Sequence, residues 1–161
     1  MVRLIEPRFF DTSALLRLVL EEPGSTKARA IARDWAPVYT SWLLVGEALG
    51  VLKDKWRKKL LSEDQYAAAV FVLLSRIESD VKVVDLATAY DRPVLEINQH
   101  YIHEIRQRHT RLDAADAIQL ALILRGIRGT TSASLVAADA TLLRAAQEEG
   151  IATIPVNNDD G

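Results

Sequence analysis

The sequence contains no cysteine, few glycines and prolines, and no long hydrophobic run. Without cysteine, the chain can form neither a disulfide, nor a thiolate nucleophile, nor a cysteine-based zinc or iron–sulfur site. Its longest apolar run, Ala67 to Leu74, is far shorter than the roughly 20 residues that cross a bilayer. Charges at Arg3, Glu6 and Arg8 interrupt the first residues, so they do not form the apolar core of a signal peptide. We therefore expect a cytoplasmic protein with no membrane association.

The chain also lacks the glycine motifs of several enzyme classes. Neither G-x-x-x-x-G-K-[S/T] nor G-x-G-x-x-G occurs, which disfavours common nucleotide-binding folds, and the G-x-S-x-G elbow of serine hydrolases is absent. The formal net charge is -2, so the domain as a whole is not a basic nucleic-acid binder. Any contact with nucleic acid must come from a local basic patch or from metal ions.

The remaining composition predicts one folded domain over residues 1–161. The chain has the length of a common single domain, and its 49% of hydrophobic residues can form a substantial core. No repeat or linker divides it. Short β-rich runs alternate with helical segments, which predicts a parallel sheet with helices on both faces. The β-rich runs are Arg8–Phe10, Pro37–Thr40, Val81–Leu86, Ser134–Ala138 and Ile151–Val156.

Helical spacing of apolar residues fills the intervals between these runs. Serine is expected to cap the second helix at Ser25, and a capping box is expected from Ser62 and Gln65. The expected helices are Ser13–Glu22, Ser25–Asp34, a long amphipathic helix through Leu43 and Trp56, Tyr66–Ile77, Val94–His109, Leu112–Ile127 and Thr141–Glu149.

Two aspartates stand where a strand passes into a helix. Asp11 follows Phe9 and Phe10, and Asp139 follows the run that ends at Ala138. Ligand sites in α/β sheets form beyond the carboxyl ends of the strands. Asp11 is equally well explained as a helix cap, and Asp139 taken alone is better explained as one, so neither identifies a site by itself.

Two further acids lie on helix faces that should be buried. Glu47 falls four residues after Leu43 and four before Val51, inside a helix where no cap explains it. Asp116 shares a stripe with Leu120, Ile123, Leu124 and Ile127. A buried carboxylate must be paired, protonated or bound to a cation. An arginine or lysine from elsewhere in the fold remains an alternative partner for Glu47.

Taken together, the four acids favour a metal site. Crowded carboxylates repel one another unless a cation lies between them, and hard oxygen ligands suit Mg²⁺ or Mn²⁺. We therefore expect Asp11, Glu47, Asp116 and Asp139 to be metal ligands.

The sequence resembles the PIN-domain family, and especially the VapC toxins of bacterial and archaeal toxin–antitoxin pairs. The resemblance spans nearly the whole chain in the family's order, although each motif is short. The similar segments are Phe10 to Leu15, Thr40-Ser41 with Glu47 to Leu49, Asp113 to Ala121, and Leu135 to Asp139 with Leu142 to Ala146 and Gly150-Ile151.

The resemblance implies a three-layer α/β/α fold with a five-stranded parallel sheet. It also implies that Asp11, Glu47 and Asp116 are catalytic, metal-binding acids, with Asp139 as the fourth. Thr12 or Ser13 would orient the first of them. Asp113 is an additional acid, which its position also makes a candidate N-cap for the helix that follows. We expect Asp113, Thr12 and Ser13 to support the site. Ala137 departs from the threonine or serine common in the family, and the stretch from Met1 to Pro7 is less apolar than a usual first strand.

The activity implied by the resemblance is Mg²⁺- or Mn²⁺-dependent cleavage of RNA by a toxin. In such a reaction, a metal ion lowers the pKa of a bound water that attacks the phosphate. The implied partners are an RNA substrate, a small VapB-like antitoxin and a second copy of the chain.

The alternative function is that of a catalytically silent PIN-fold module that binds RNA or acts as a scaffold. A phosphotransferase of the haloacid dehalogenase type is disfavoured because Ser13 stands where that class needs a second aspartate.

Two groups of basic residues are candidates for RNA binding. The first continues the helix of Glu47, and its alternative interpretation is an ordinary exposed helix end. It contains Lys53, Lys55, Arg57 and Lys58 around Trp56, which we expect to be a core residue. The second is a set of arginines whose faces the sequence does not fix: Arg106, Arg108, Arg111, Arg125 and Arg128.

Overall fold

The structure, a computed structural model, describes residues 6–34, 36–84, 102–125 and 133–158. It contains a five-stranded, all-parallel sheet flanked by helices, which confirms the expected three-layer fold. The strands are β1 (Arg8–Phe10), β2 (Val38–Ser41), β3 (Val81–Val84), β4 (Ser134–Ala137) and β5 (Thr153–Pro155).

The described helices connect these strands as the alternation of patterns predicts. They are α1 (Thr12–Val19), α2 (Ser25–Arg33), α3 (Trp42–Arg57), α4 (Glu63–Ser79), α5 (His103–Arg108), α6 (Ala114–Arg125) and α7 (Ala140–Glu148). Residues 85, 86 and 94–101 of the expected third strand and fifth helix lie outside the described residues. None of the described helices is long and apolar enough to cross a membrane.

The sheet order β3-β2-β1-β4-β5 places β1 at the centre. Arg8 pairs in register with Val38 on one side and Ser134 on the other. Phe9 and Phe10 are fully buried because this strand is covered on both faces. The chain proceeds outward from β1 in one direction to β3 and in the other to β5, so the sheet has a topological switch between β1 and β4.

The expected serine cap of α2 is wrong. Gly24 is the N-cap, with a positive φ of 88°, and Ser25 is the first helical residue. The Ser25 hydroxyl instead donates to the Leu20 carbonyl at 2.8 Å and accepts from the Glu22 N–H at 2.9 Å. The hydroxyl thus closes the turn between α1 and α2. The capping box at Ser62 and Gln65 is confirmed.

The expected buried face of α3 is also displaced. Its buried residues are Leu44, Val45, Ala48 and Leu52, whereas Val51 is exposed. Trp56 is not a core residue, because it is exposed at the surface, where its ring stacks on Tyr66 with centroids 5.3 Å apart. Glu47 consequently lies at the margin of the core and is half-buried.

The stripe that was expected to bury Asp116 is only partly buried. Leu120 and Ile123 lie in the core, but Leu124 is exposed, and Ile127 lies outside the described residues. The middle of α6, from Ala117 to Ile123, therefore packs on the core, whereas Asp116 in the first turn is half-buried and Leu124 is exposed.

Candidate metal centre

The candidate site lies at the carboxyl edge of the sheet, beside the switch between β1 and β4. Asp11 follows the last residue of β1, and its N–H donates to the Val136 carbonyl of β4 at 3.1 Å. Asp139 stands two residues after the end of β4. Helices α1, α3 and α7 all begin at this edge, so their first turns surround it.

Asp11 is both the N-cap of α1 and a buried carboxylate. Its side chain is 4% exposed and accepts from the Ala14 N–H at 2.7 Å. Burial, with a smaller contribution from repulsion by Asp139, raises the pKa of Asp11 to about 6 despite the hydrogen bonds from Ser13 and Ala14. The cap therefore explains where Asp11 points, but its hydrogen bonds do not fully offset the free-energy cost of burying a charged carboxylate.

The hydroxyl of Ser13 connects Asp11 to the end of β4. It lies 2.7 and 2.8 Å from the two carboxylate oxygens of Asp11, to which it donates. The same hydroxyl accepts from the N–H of Ala138 at 2.8 Å. Ser13 thus holds the carboxylate in one orientation relative to the strand that leads to Asp139.

Thr12 performs the equivalent task for a different acid. Its hydroxyl donates to Oε2 of Glu47 at 2.6 Å, across 35 residues of sequence. The resemblance offered Thr12 or Ser13 as the hydroxyl next to the first acid. In the structure the two hydroxyls serve two carboxylates.

Asp116 lies in the first turn of α6, where several acids surround it. Asp113 accepts the N–H of Asp116 at 2.8 Å, which fits the capping role expected of Asp113. Burial and then repulsion by Asp113, Asp139, Asp11 and Glu47 raise the pKa of Asp116 to about 7. The other four carboxylates are therefore all within electrostatic reach of Asp116.

Asp139 is the N-cap of α7 and is exposed. Its Oδ1 accepts from the N–H groups of Thr141 at 2.7 Å and Leu142 at 3.0 Å. Within the described residues, Oδ2 makes no hydrogen bond. Capping thus occupies one carboxylate oxygen of Asp139, and no described residue occupies the other.

The donor set suits a divalent cation. All the candidate ligands are hard carboxylate oxygens, and no lysine, arginine or histidine of the described ranges forms an ion pair with any of the five acids. As the described side chains lie, no group of three or more His, Asp or Glu could hold an ion directly. A shared ion would therefore need side-chain rotation or intervening waters, which Mg²⁺ commonly keeps.

Gln119 is a neighbour of the site that the sequence analysis missed. It is 1% exposed, and its Nε2 donates to Oδ1 of Asp116 at a long 3.4 Å. Its Oε1 has no hydrogen-bond partner among the described residues. The available signal was the spacing, since an amide three residues after Asp116 lies on the same helix face.

The basic run of α3 lies away from these acids. Lys55 is eight residues beyond Glu47, about 12 Å further along the helix axis. Lys55 pairs with Glu22 at 2.8 Å, and Lys58 pairs with Asp54 at 2.6 Å. RNA binding by Lys53, Lys55, Arg57 and Lys58 thus stays a prediction, and two of these cations already have acidic partners.

Comparisons with known proteins agree with this architecture. A family model described as "PIN domain" matches residues 8–160. The chain is also similar to the crystal structure of PAE2754 from Pyrobaculum aerophilum, with a TM-score of 0.57 and 21% sequence identity over 93% of this chain and 90% of that chain. At this identity the likeness concerns the fold alone. A comparison with curated proteins found no match.

Proposed function

Because the chain belongs to the PIN-domain family, whose members are generally nucleases, we propose that it is an endoribonuclease dependent on Mg²⁺ or Mn²⁺. We take residues 1–161 as one PIN-like domain carrying a single active site. The observation that carries the proposal is the convergence of repelling carboxylates on Asp116, without an ion pair from the described part of the chain.

In this proposal, Asp11, Glu47, Asp116 and Asp139 hold the ion. When bound, the cation would lower the pKa of a coordinated water and offset the charge of the scissile phosphate. Ser13 holds Asp11 and Thr12 holds Glu47, so two of the ligands are oriented before any substrate arrives. Asp113 fixes the first turn of α6 and with it the position of Asp116.

The test is cleavage of structured RNA by the purified chain with Mn²⁺, compared with Asp116→Asn and Glu47→Gln. Losing a residue that supports a metal ligand typically costs about 10- to 100-fold, so losing a ligand should cost about 100-fold or more. Glu78→Gln, an exposed carboxylate near the end of α4, is the matched control and should leave the rate unchanged. If cleavage is undetectable in wild-type protein while RNA binding persists, the chain is a silent RNA-binding or scaffold module.

We further propose that the protein is the cytoplasmic toxin of a toxin–antitoxin pair, active as a homodimer and covered by a small VapB-like antitoxin. The resemblance to VapC toxins supports this assignment. Helix α4 adds support, because it exposes Phe71, Val72 and Leu74, and apolar groups of this kind often mark protein interfaces.

Two measurements test the toxin proposal. Induced expression should arrest growth only when the chain can cleave RNA, so Asp116→Asn should remove the arrest. Light scattering should give twice the chain mass for the purified protein. A monomer with no effect on growth would contradict this part of the proposal without affecting the nuclease assignment.

A further inference from the structure

A polar cleft of about 500 Å³ lies between the connection from α5 to α6 and the start of α7. It belongs to neither the carboxylate cluster nor the basic run of α3. Its polar walls include Arg108, His109, Thr110, Arg111, Thr141 and Arg144.

The chain places this cleft directly beside the candidate metal centre. Leu112 in one wall immediately precedes Asp113, and Ala140 in the other wall immediately follows Asp139. Both aspartates are close enough to Asp116 to repel its charge. A substrate strand that leaves the acids toward α7 therefore enters this cleft.

Ion pairs of Arg108 and His109 lie beside the cleft, which both residues line. Glu149 accepts from Arg108 Nε at 2.8 Å and Nη2 at 3.0 Å. The ring of His109 lies between two carboxylates, with Nε2 2.7 Å from Glu149 and Nδ1 3.4 Å from Glu148. Glu149 is thus paired with Arg108, and Glu148, which also lines the cleft, contacts His109 and Arg144.

Two arginines remain at the solvent side. Arg144 is 82% exposed and, among the described residues, pairs only with Glu148 of its own helix, at 3.0 Å. Arg111 is exposed and has no ion-pair partner within the part of the chain that the structure describes. Arg128 and the side chain of Arg125 lie outside that part. Exposed arginines are well suited to phosphate groups because the guanidinium presents several donors in a fixed plane.

We propose that this cleft binds the phosphodiester backbone of the RNA strand next to the bond that is cut, with Arg111 and Arg144 as its phosphate contacts. The inference rests on the proposed nuclease function. It assigns the path of the substrate to the α7 side of the site rather than to the α3 run, where Lys55 and Lys58 already pair with acids. Contacts to phosphate position a strand without reading its sequence.

The experiment measures binding separately from cleavage. Anisotropy of a fluorescent single-stranded oligoribonucleotide is recorded with the full chain in EDTA, over a series of salt concentrations. Arg111→Gln and Arg144→Gln should each weaken binding about 3- to 10-fold and lower the salt slope by about 0.7, the value for one phosphate contact to a single strand. Arg33→Gln, which removes an exposed arginine at the far end of α2, should change neither quantity.

The competing path is tested with Lys53→Gln and Lys58→Gln. Larger losses in these variants than in the two arginine variants would overturn the proposal, as would the absence of RNA binding by wild-type protein with or without Mg²⁺. An acidic peptide that binds to the cleft more tightly than RNA would assign the cleft to a protein partner and also overturn the proposal.

The same variants separate the cleft from the nuclease function. Unchanged RNA binding by Arg111→Gln and Arg144→Gln, with normal Mn²⁺-dependent cleavage by wild type, would reject the role of the cleft alone. Weakened RNA binding by the two arginine variants, without any cleavage by wild type, would reject the nuclease function alone.

Discussion

Two neighbouring hydroxyls hold carboxylates that come from different parts of the chain. Thr12 bonds to Glu47 on α3, whereas Ser13 bonds to Asp11 and to the backbone after β4. Side chains next to each other at the start of a helix point in different directions, so each reaches a different neighbour. A dipeptide in α1 thus connects three elements of the site.

Replacing Ser13 with alanine should destabilise the protein. The change leaves the Ala138 N–H and one bond of the Asp11 carboxylate without their partner, which typically costs about 1–3 kcal/mol. The free energy of unfolding is measured by urea titration in EDTA. Ser13→Thr keeps the hydroxyl and should recover part of the loss; equal stability of wild type and Ser13→Ala would show that water replaces this hydroxyl.

Replacing Asp116 with asparagine should have the opposite effect in the absence of metal. The amide removes one of the mutually repelling charges, so at about pH 8 in EDTA the melting temperature should rise by about 3 °C, roughly 1 kcal/mol for a chain of this size. The stabilisation that Mn²⁺ gives to wild type should disappear. Glu78→Gln is again the control, and a lower melting temperature for Asp116→Asn would contradict the proposed repulsion.

Among the structural elements, α2 shows how a glycine fixes the approach of a helix to the sheet. Gly24 caps α2 with a φ of 88°, and a Cβ placed there would overlap the backbone carbonyl of Val156, just after β5. Gly150 ends the turn after α7 with a similar φ of 80°, but a Cβ there meets nothing within 4 Å. The two glycines share a backbone conformation and differ in packing.

This difference predicts unequal costs for two alanine substitutions. Gly150→Ala should cost about 1–2 kcal/mol, the strain of a left-handed alanine. Gly24→Ala adds an overpacking term and should cost about 3 kcal/mol or more. Urea unfolding of the two variants gives the comparison directly. Equal losses would mean that the segment after β5 moves away from α2 at little cost.

For the whole molecule, the carboxylate cluster predicts how stability depends on pH. The pKa of Asp11 is raised to about 6 and that of Asp116 to about 7, from 3.8. The folded protein therefore binds more protons than the unfolded chain between pH 3.8 and about 7, and the free energy of unfolding falls as pH rises through this window. Glu149 acts in the opposite direction, because hydrogen bonds from Arg108 lower its pKa. Its contribution to the free energy of unfolding is therefore lost only below about pH 4.5.

Thermal unfolding in EDTA should therefore show a lower melting temperature at about pH 8 than at about pH 5, by about 5 °C. Mn²⁺ should raise the melting temperature more at the higher pH, because ionised carboxylates bind the cation and protonated ones do not. A metal-induced rise that is equal at both pH values would show that Asp11 and Asp116 do not participate in binding.

The pattern of the sequence was sufficient to predict the layers of the fold and the location of the acids. Runs such as Phe9-Phe10 and the alternation with helices predicted the parallel sheet, because local periodicity reflects which faces are buried. The placement of Asp11 and Asp139 after strands also followed from the order of residues. Glu47 was expected on a fully buried stripe and lies at its margin, because the packing of α3 against its neighbours decides which side of an apolar helix faces inward.

The sequence by itself determined the architecture, the chemistry of the acidic side chains and the absence of any thiol chemistry, since these follow from residue type and local spacing. Only the tertiary structure decided that Thr12 holds Glu47, that Gly24 rather than Ser25 caps α2, and that Arg111 and Arg144 share a cleft beside the acids. These contacts join residues distant in the chain or depend on close backbone packing. Their geometry is fixed when the sheet brings the ends of its strands together.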